Sequence, residues 1–521
     1  MAALLVVLVA VPSPLFDLDR FQVPKELVLH VAAFGAATLA LGGVRRIPLA
    51  TTDLLLIGFG VLTALSTITA PNPWLAVRAT GVTWAGLALF WVARALARGG
   101  LARPLLAVVA AASVAGAGTA LLQAYGVELP LTSSRRMPGG AFGNRNFMAH
   151  ATAIALPVII YLAIESRARA APVLGAVAIA ISSAALLLSR SRAAWLAVAA
   201  GLTILLVEGI GVSGLWRDGA IRRRLSTLAA SAALAITAAL AVPNALSWRS
   251  DMPYLETLVG VANYREGSGR GRLIQYENTL RMVRDAPLLG VGAGNWAVEY
   301  PRYTTPGDPA YDATDPIPTN PWPSSDWVGI VAERGVPALL LLVAAGAAMA
   351  IVGWRRSRQK GRSPEGLAGL AMIATIVVTV VAGAFDAVML LATPTFFAWT
   401  ILGALHPPPR EQLAIQRPAL ISKLRAGALG AGLLFGVLAA AQTVSIALAG
   451  DGSSLRRVRW AAAVDPGSFR LDLHLAGRSR GCAARIPYAQ RAHALYPNHA
   501  EPRRMLRRCG VPVPPLRRAP R

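Results

Sequence analysis

Residues 327–354 read WVGIVAERGVPALLLLVAAGAAMAIVGW and are followed at once by Arg355 and Arg356. An α-helix rises 1.5 Å per residue, so about 20 apolar residues cross the roughly 30 Å hydrocarbon core of a bilayer. This mostly apolar stretch is long enough to do so, and it ends in the charged residues that typically follow a membrane span. It therefore predicts a transmembrane helix.

The whole chain has a similarly apolar composition. Of its 521 residues, 55% are hydrophobic and 15% are charged, and the mean hydropathy is +0.51. Such values exclude a water-soluble protein of this size, and the abundance of apolar residues excludes a disordered chain. The net charge of +25 would suggest nucleic-acid binding in a soluble protein, but here arginines at the ends of membrane spans account for much of it. We therefore predict no nucleic-acid partner.

Repeated apolar stretches predict an all-α polytopic membrane protein with about 13 transmembrane helices. The first stretch, Met1 to Phe16, lacks the basic start and the small-residue cleavage pattern of a signal peptide, so we interpret it as a membrane span. The other predicted spans are 26–43, 53–70, 79–96, 104–125, 147–164, 171–188, 193–207, 225–242, 327–354, 367–385, 388–405 and 426–448.

Alternate loops between these spans are basic. Their cationic residues are Arg45, Arg46, Arg94, Arg98, Arg103, Arg167, Arg169, Arg217, Arg222, Arg223, Arg224, Arg355, Arg356, Arg358, Lys360 and Arg362. Because basic loops stay on the cytoplasmic side, we expect a multi-pass protein of a bacterial inner (cytoplasmic) membrane. The predicted domains are a polytopic membrane domain at 1–449, which includes a large periplasmic loop at 243–326, and a periplasmic tail at 450–521. The loop includes Trp248, Trp296 and Trp322 and is aromatic enough to fold over the membrane surface.

The tail contains short amphipathic stretches whose alanine spacing is typical of tetratricopeptide repeats. Ala461–Ala463 precede Asp465-Pro466, and Ala489, Ala492 and Ala494 precede Tyr496-Pro497. A helical tail of this kind would bind another envelope protein. The tail also holds both cysteines, Cys482 and Cys509, and the sequence supports a disulfide and two free thiols equally.

Several arginines lie at the predicted outer ends of spans or in the loop, against the positive-inside bias. They are Arg145, Arg190, Arg192, Arg270 and Arg272. Guanidinium groups bind phosphate oxygens in pairs and stay charged, so the cluster indicates a phosphate site. The alternative is that each side chain reaches a lipid headgroup, and for the closely spaced Arg190 and Arg192 the two interpretations are equally supported. The glycine-rich run 267–271 matches no phosphate-binding motif, and we interpret it as a flexible turn.

The segment 243–326 contains no histidine. This pattern excludes the usual metal sites and Ser/His/Asp arrangements from the outer face, and we predict neither a metal nor a cofactor.

Four segments resemble the O-antigen ligase and O-antigen polymerase family (Wzy_C-like) of bacterial inner-membrane glycosyltransferases. They are 143–149 (GNRNFMA), 189–195 (SRSRAAW), 271–273 (GRL) continuing to 285–296 (DAPLLGVGAGNW), and 324–335 (SSDWVGIVAERG). They occur in the order and topology of the family, and a periplasmic tetratricopeptide-like tail also occurs there.

The resemblance implies transfer of an oligo- or polysaccharide from a polyprenyl-diphosphate carrier, such as undecaprenyl diphosphate, to an acceptor at the periplasmic face. Arg192 and Arg272 occupy the motif positions whose arginines hold the donor diphosphate, and Arg190, Arg270 and Arg145 would support them. Ligases place a histidine, taken to be the catalytic base, where this chain has Ser324 and Ser325. Either another group such as Asp326 is the base, or the acceptor chemistry differs, or the chain is not a ligase.

Two other functions fit the same sequence. One is a multi-span transporter of an envelope precursor, and the other is a non-catalytic relative that acts as a membrane scaffold through its tail. Transport is less favoured because we find no internal repeat and no ionisable residue at the centre of a span. Ligase and polymerase use the same donor class, so the sequence separates neither these two activities nor a lipid, glycan or protein acceptor.

Overall fold

The computed structural model describes residues 1–514 apart from 130–131, 134–136, 212–217, 261–266, 306–307, 309, 311–320, 359–363 and 408–412. The described chain is almost entirely helical. In chain order its first nine helices are α1 (Ala2–Leu8), α2 (Asp19–Gly42), α3 (Thr51–Leu65), α4 (Pro73–Leu96), α5 (Ala102–Ala124), α6 (Arg145–Glu165), α7 (Ala171–Ser189), α8 (Arg192–Gly211) and α9 (Gly219–Ala241). The others are α10 (Pro253–Val259), α11 (Gly267–Asp285), α12 (Trp296–Glu299), α13 (Asp326–Ser357), α14 (Pro364–Phe385), α15 (Ala392–Leu405), α16 (Pro418–Ala449), α17 (Leu455–Val464), α18 (Phe469–Arg478), α19 (Cys482–Leu495) and α20 (Ala500–Arg508).

Ten helical stretches in the described part of the chain are long and apolar enough to cross a membrane. One of them, Pro73–Ala124, contains both α4 and α5, which meet at a tight turn, so eleven helices qualify. The chain is a multi-pass membrane protein. Helix α15 lies within the predicted span 388–405, but it has only 14 residues.

The prediction that Met1 to Phe16 spans the membrane is wrong. Helix α1 has 7 residues, about 10 Å at 1.5 Å per residue, which is too short to cross a bilayer. Pro12 and Pro14 follow it and favour extended chain. The buried ammonium of Lys25 donates hydrogen bonds to the carbonyl oxygens of Val7 (2.6 Å) and Val9 (2.7 Å), so the end of this short helix is satisfied inside the protein.

Successive long helices run in alternate directions and define two ends of the bundle. We call the end that carries residues 242–325 and the tail the loop end; there the backbone N–H of Ala245 donates to the carbonyl of Ala124 at 2.8 Å. At the opposite end β1 (Ile47–Leu49) pairs antiparallel with β2 (Leu413–Ile415). The described residues of the predicted basic loops lie at this opposite end, whereas Arg217, Lys360 and Arg362 fall outside the described residues. Which end faces the cytoplasm stays a prediction.

Helix α6 is the centre of the bundle. Within its most apolar window 83% of the residues are buried, more than in any other spanning helix of the described chain. Asn144 precedes the helix and accepts a hydrogen bond from the backbone N–H of Asn146 at 2.9 Å, which caps the helix start. Gly143 has φ 69°, and a Cβ at this position would lie 2.2 Å from the ring of Phe21. The motif glycine therefore allows α6 to begin against α2, with Arg145 at the loop end.

Residues between α9 and α13 form a folded unit around α11. The indole N–H of Trp296 donates to Thr279 Oγ1 at 3.0 Å, and the hydroxyl of Tyr300 donates to Asp308 Oδ2 at 2.7 Å. Burial and the neighbouring Asp308 carboxylate raise the pKa of Tyr300 above its usual value. Tyr276 joins this unit to the bundle, because its hydroxyl lies within hydrogen-bond distance of the carbonyl oxygens of Ser324 (2.7 Å) and Ala384 (3.1 Å).

The tail consists of α17 to α20, packed consecutively and docked on the loop end. The Asn498 amide donates to the carbonyl of Val298 and to Glu299 Oε1, both at 3.0 Å. Arg470 forms an ion pair with Asp19 at 2.9 Å. Cys482 and Cys509, whose pairing the sequence left open, form a disulfide between α19 and the end of α20. The tetratricopeptide character of these helices stays a prediction.

Candidate functional site

The junction between α7 and α8 and the start of α6 bring arginines together at the loop end. Helix α7 ends at Ser189, and α8 begins only three residues later at Arg192. Arg190 makes the reversal in the left-handed conformation, with φ 51°, and is the one non-glycine residue with positive φ in the described chain. A left-handed arginine costs about 1–2 kcal/mol, and such strain is often retained at functional sites.

A cavity of about 620 Å³ lies beside these helix ends, and we call it the arginine cavity. Four of the five predicted arginines line it, namely Arg145, Arg190, Arg192 and Arg272. The fifth, Arg270, is exposed and does not line the cavity. The reason is that residues 267–271 are the first turn of α11 and not the predicted flexible turn. Residues two apart on a helix lie on different faces, so the structure separates Arg270 from Arg272.

The structure adds two residues that the sequence analysis missed. Trp248 and Arg249 follow α9 and also line the cavity. The guanidinium carbon of Arg145 lies 4.9 Å from the Trp248 ring, and that of Arg190 lies 4.8 Å from it. Both distances are within the range of cation–π attraction, so one indole orients two of the cations. A tryptophan beside an arginine after an apolar span is the sequence signal that could have revealed them.

Short helix α10 supplies the outer wall. Arg190 Nε donates to Thr257 Oγ1 at 2.7 Å, and its Nη2 donates to Glu256 Oε2 at 3.1 Å. Arg192 Nη1 donates to the carbonyl oxygen of Gly260 at 2.5 Å. Glu256, the only carboxylate among the described lining residues, forms an ion pair with Arg190, so the lining keeps an excess of positive charge while the hydrogen bonds hold the guanidinium groups in place.

Helix dipoles add to the positive potential of the arginine cavity. The first turns of α6 and α8 both line it, through Asn146 and Ala193 among others. Their N-terminal ends carry partial positive charge and favour a bound anion. The cavity therefore combines five guanidinium groups and two helix N-termini against one carboxylate, and its chemistry fits a polyanion such as a diphosphate.

Helix α10 turns an apolar face away from the arginine cavity. Leu255, Leu258 and Val259 are 51%, 62% and 73% exposed. A cluster of exposed apolar side chains beside a cationic site fits a lipid surface better than water.

Asp326, the predicted catalytic base, does not line the arginine cavity. It is fully buried at the start of α13, and its two carboxylate oxygens accept hydrogen bonds from the backbone N–H groups of Val388 (2.9 Å) and Met389 (2.8 Å). Ser325 Oγ donates to the carbonyl of Gly383 at 3.1 Å in the same region. The Asp326 side chain thus holds the turn between α14 and α15.

That turn brings a different carboxylate towards the cavity. Asp386 follows α14, and its Oδ2 accepts a hydrogen bond at 3.2 Å from the amide of Asn146, which lines the cavity. His150, one turn further along α6, is fully buried, and its ring nitrogens have no hydrogen-bond partner in the described chain. Among the described residues no group of three or more histidine, cysteine or acidic residues is arranged to hold a metal ion.

Comparison with known proteins gives a family match for part of the chain. Residues 176–343 match the sequence model of Wzy_C, the O-antigen ligase family, which is the family that the sequence motifs resemble. The matched region runs from α7 into α13 and includes Arg190, Arg192 and Arg272. No curated protein matches the chain significantly. The family match supports a membrane glycosyltransferase-like function in polysaccharide assembly.

Proposed function

We propose that this protein transfers a glycan from a polyprenyl-diphosphate carrier to an acceptor hydroxyl at the periplasmic surface of a bacterial inner membrane. The observation that carries the proposal is the arginine cavity, where Arg145, Arg190, Arg192 and Arg272 converge from α6, the α7–α8 junction and α11. The acceptor is a lipid, a glycan or a protein, and the reaction is of the ligase or the polymerase type.

The donor diphosphate would occupy the arginine cavity. Its phosphate oxygens match the forked donors of several guanidinium groups, which remain charged at any physiological pH. As the bond between the anomeric carbon and the phosphate oxygen breaks, negative charge grows on the leaving diphosphate. Fixed cations around that position stabilise the transition state more than the ground state.

The carrier lipid would lie along α10. Its exposed apolar residues Leu255, Leu258 and Val259 adjoin the cavity wall made by Thr257. A prenyl chain on this face would remain in contact with the bilayer while its diphosphate enters the cavity.

The acceptor hydroxyl must lose a proton as its oxygen bonds to the anomeric carbon. We assign the proton acceptor to Asp386 and not to Asp326 because Asp386 is one contact from the cavity. Its Oδ2 accepts a hydrogen bond from the cavity-lining Asn146 and its Oδ1 accepts one from the N–H of Ala387, whereas Asp326 accepts from the backbone N–H groups of Val388 and Met389. A carboxylate in hydrogen-bond reach of the reacting hydroxyl would act as a general base.

The test compares two arginines of the same helix. Arg272→Ala should lower kcat/KM for transfer from undecaprenyl-diphosphate-linked glycan in proteoliposomes by about 10–150-fold, which corresponds to the roughly 1.5–3 kcal/mol of a hydrogen bond to a charged group. Arg270→Ala, outside the cavity, should stay within about twofold of the parent protein. Equal activities of the two variants, or solute flux without any product, would refute the proposal.

A further inference from the structure

A second cavity, of about 210 Å³, lies where the tail meets the loop end of the bundle. We call it the tail cavity. Helices α2, α4 and α16 form its floor, residues of the α17–α18 turn form its roof, and the segment 389–391 closes one side. From its charge and its lining we infer that it binds one end of the acceptor saccharide. This inference rests on the proposed transferase function.

The charges of the tail cavity differ from those of the arginine cavity. Its cationic lining residues are Arg78, Arg334 and Arg470, and its acidic ones are Asp19, Glu26, Glu333 and Asp465. Arg78 is paired in a bidentate manner with Glu26, with Nε and Nη2 donating to the two carboxylate oxygens at 2.7 and 2.8 Å. Cations and carboxylates are therefore nearly balanced, and the site favours a neutral ligand rich in hydroxyl groups over a polyanion.

One buried polar group remains unsatisfied in this lining. The Arg334 side chain is 1% exposed, and its Nη1 and Nη2 lie 3.3 Å from Glu333 Oε2 and 3.4 Å from Thr83 Oγ1. Its Nε has no hydrogen-bond partner in the described chain. A buried donor without a partner is costly, so a small rotation of the Arg334 side chain that brought this nitrogen to a ligand hydroxyl in the cavity would gain binding energy.

Aromatic side chains complete the lining. Trp74 projects from the start of α4 and is 37% exposed, while Phe469 and Tyr496 of the tail pack together with ring centroids 4.4 Å apart. Sugar rings present apolar C–H faces that pack on aromatic rings and hydroxyl edges that pair with carboxylate, amide and guanidinium groups. The cavity is smaller than the roughly 300–1,000 Å³ pockets of drug-sized ligands, so it suits the end of a saccharide and not a long chain.

The two cavities lie on either side of one wall. Asn146 lines the arginine cavity, and the next residue, Phe147, packs on Trp322 of the tail cavity with ring centroids 5.7 Å apart. Met389, which is held by Asp326, also lines the tail cavity. Acceptor sugar bound there would reach around this wall towards a donor whose diphosphate is in the arginine cavity.

The binding test uses oligosaccharides released from the surface polysaccharide of the source cell by mild acid and labelled with a fluorophore. We expect Trp74→Ala in the full-length protein to weaken their binding about fivefold, Trp74→Phe to restore most of it, and the affinity for inorganic pyrophosphate to stay unchanged. The matched control is Trp460→Ala, since Trp460 is an exposed tail tryptophan outside the cavity. In the transfer assay Trp74→Ala should raise the acceptor KM and leave the donor KM unchanged.

Oligosaccharide binding that is unchanged in Trp74→Ala, or weakened equally in Trp460→Ala, would overturn the inference. Unchanged pyrophosphate binding in Trp74→Ala shows that the variant is folded. Arg272→Ala separates the two proposals, because it should weaken pyrophosphate binding by about 10–150-fold and leave oligosaccharide binding intact. If Arg272→Ala kept its pyrophosphate affinity while Trp74→Ala lost the oligosaccharide, the donor assignment would fail and the saccharide site would stand.

Discussion

Replacing Asp326 by asparagine should destabilise the protein more than it slows the transfer chemistry. The carboxylate accepts two backbone hydrogen bonds, from Val388 at 2.9 Å and Met389 at 2.8 Å, and is fully buried. Asparagine keeps one oxygen that can accept and replaces the other with an amide that cannot. One backbone N–H therefore loses its partner inside the bundle.

The expected magnitude follows from that single lost contact. A hydrogen bond to a charged group contributes about 1.5–3 kcal/mol. Domains of about 150–250 residues shift their Tm by roughly 2–4 °C for each kcal/mol, and a longer chain shifts less. We therefore expect the apparent Tm of Asp326→Asn to fall by about 2–6 °C.

The assay pairs thermal unfolding of detergent-solubilised protein with transfer rates measured well below the transition. Asp386→Asn is the matched variant, because Asp386 lies on the same turn but pairs with the cavity-lining Asn146. It should lose about 10²–10⁴-fold in kcat, the usual contribution of a general base, with little change in Tm. An Asp326→Asn protein with an unchanged Tm and no detectable transfer would instead identify Asp326 as the base.

Three further changes test the fold. Gly335 has φ 82°, and a Cβ added there would lie 2.0 Å from the carbonyl oxygen of Leu288, so Gly335→Ala should prevent recovery of folded protein in size-exclusion chromatography. The control Gly346→Ala, at a position in open space on the same helix, should be recovered normally. The Cys482–Cys509 disulfide spans 27 residues and restricts the unfolded tail, so replacing both cysteines with serine should cost about 3–4 kcal/mol and speed proteolysis of the tail; equal cleavage rates would contradict this. Burial raises the pKa of Asp465 to about 6, opposed by Arg78 and reinforced by Asp19 and Asp472. The folded protein keeps a proton that an unfolded Asp releases near pH 4, so the contribution of Asp465 to the free energy of unfolding should decrease as pH rises from about 4 to 6. Asp465→Asn should therefore flatten the dependence of Tm on pH over that interval.

The membrane helices could be predicted from the sequence because each needs only a long apolar stretch. Every predicted span overlaps a helix of the structure, but Met1 to Phe16 contains only the seven-residue α1, since hydropathy cannot reveal that Lys25 closes a short helix internally. The segment 388–405 shows the same weakness. Its first residues are a turn held by Asp326, a contact between positions 62 residues apart in the chain.

The candidate site was predictable where short connections restrict geometry. Arg190 and Arg192 flank a junction too short to let them separate, and the structure places both at one cavity. The different positions of Arg270 and Arg272 could be predicted only by knowing that α11 begins at Gly267, because the helix places the two side chains on different faces. The choice between Asp326 and Asp386 as the proposed base depends on tertiary hydrogen bonds that no local sequence pattern encodes.

The left-handed Arg190 also affects how this protein would respond to engineering. Glycine adopts such a conformation without the steric cost, so Arg190→Gly would relieve about 1–2 kcal/mol of backbone strain, but it would also remove the hydrogen bond to Thr257 and the contact with Trp248, which offset that gain. A variant that had already lost Thr257 or Trp248 would lack this offset. Selection of such a variant for heat resistance alone would then favour glycine at position 190 and remove one cation from the cavity.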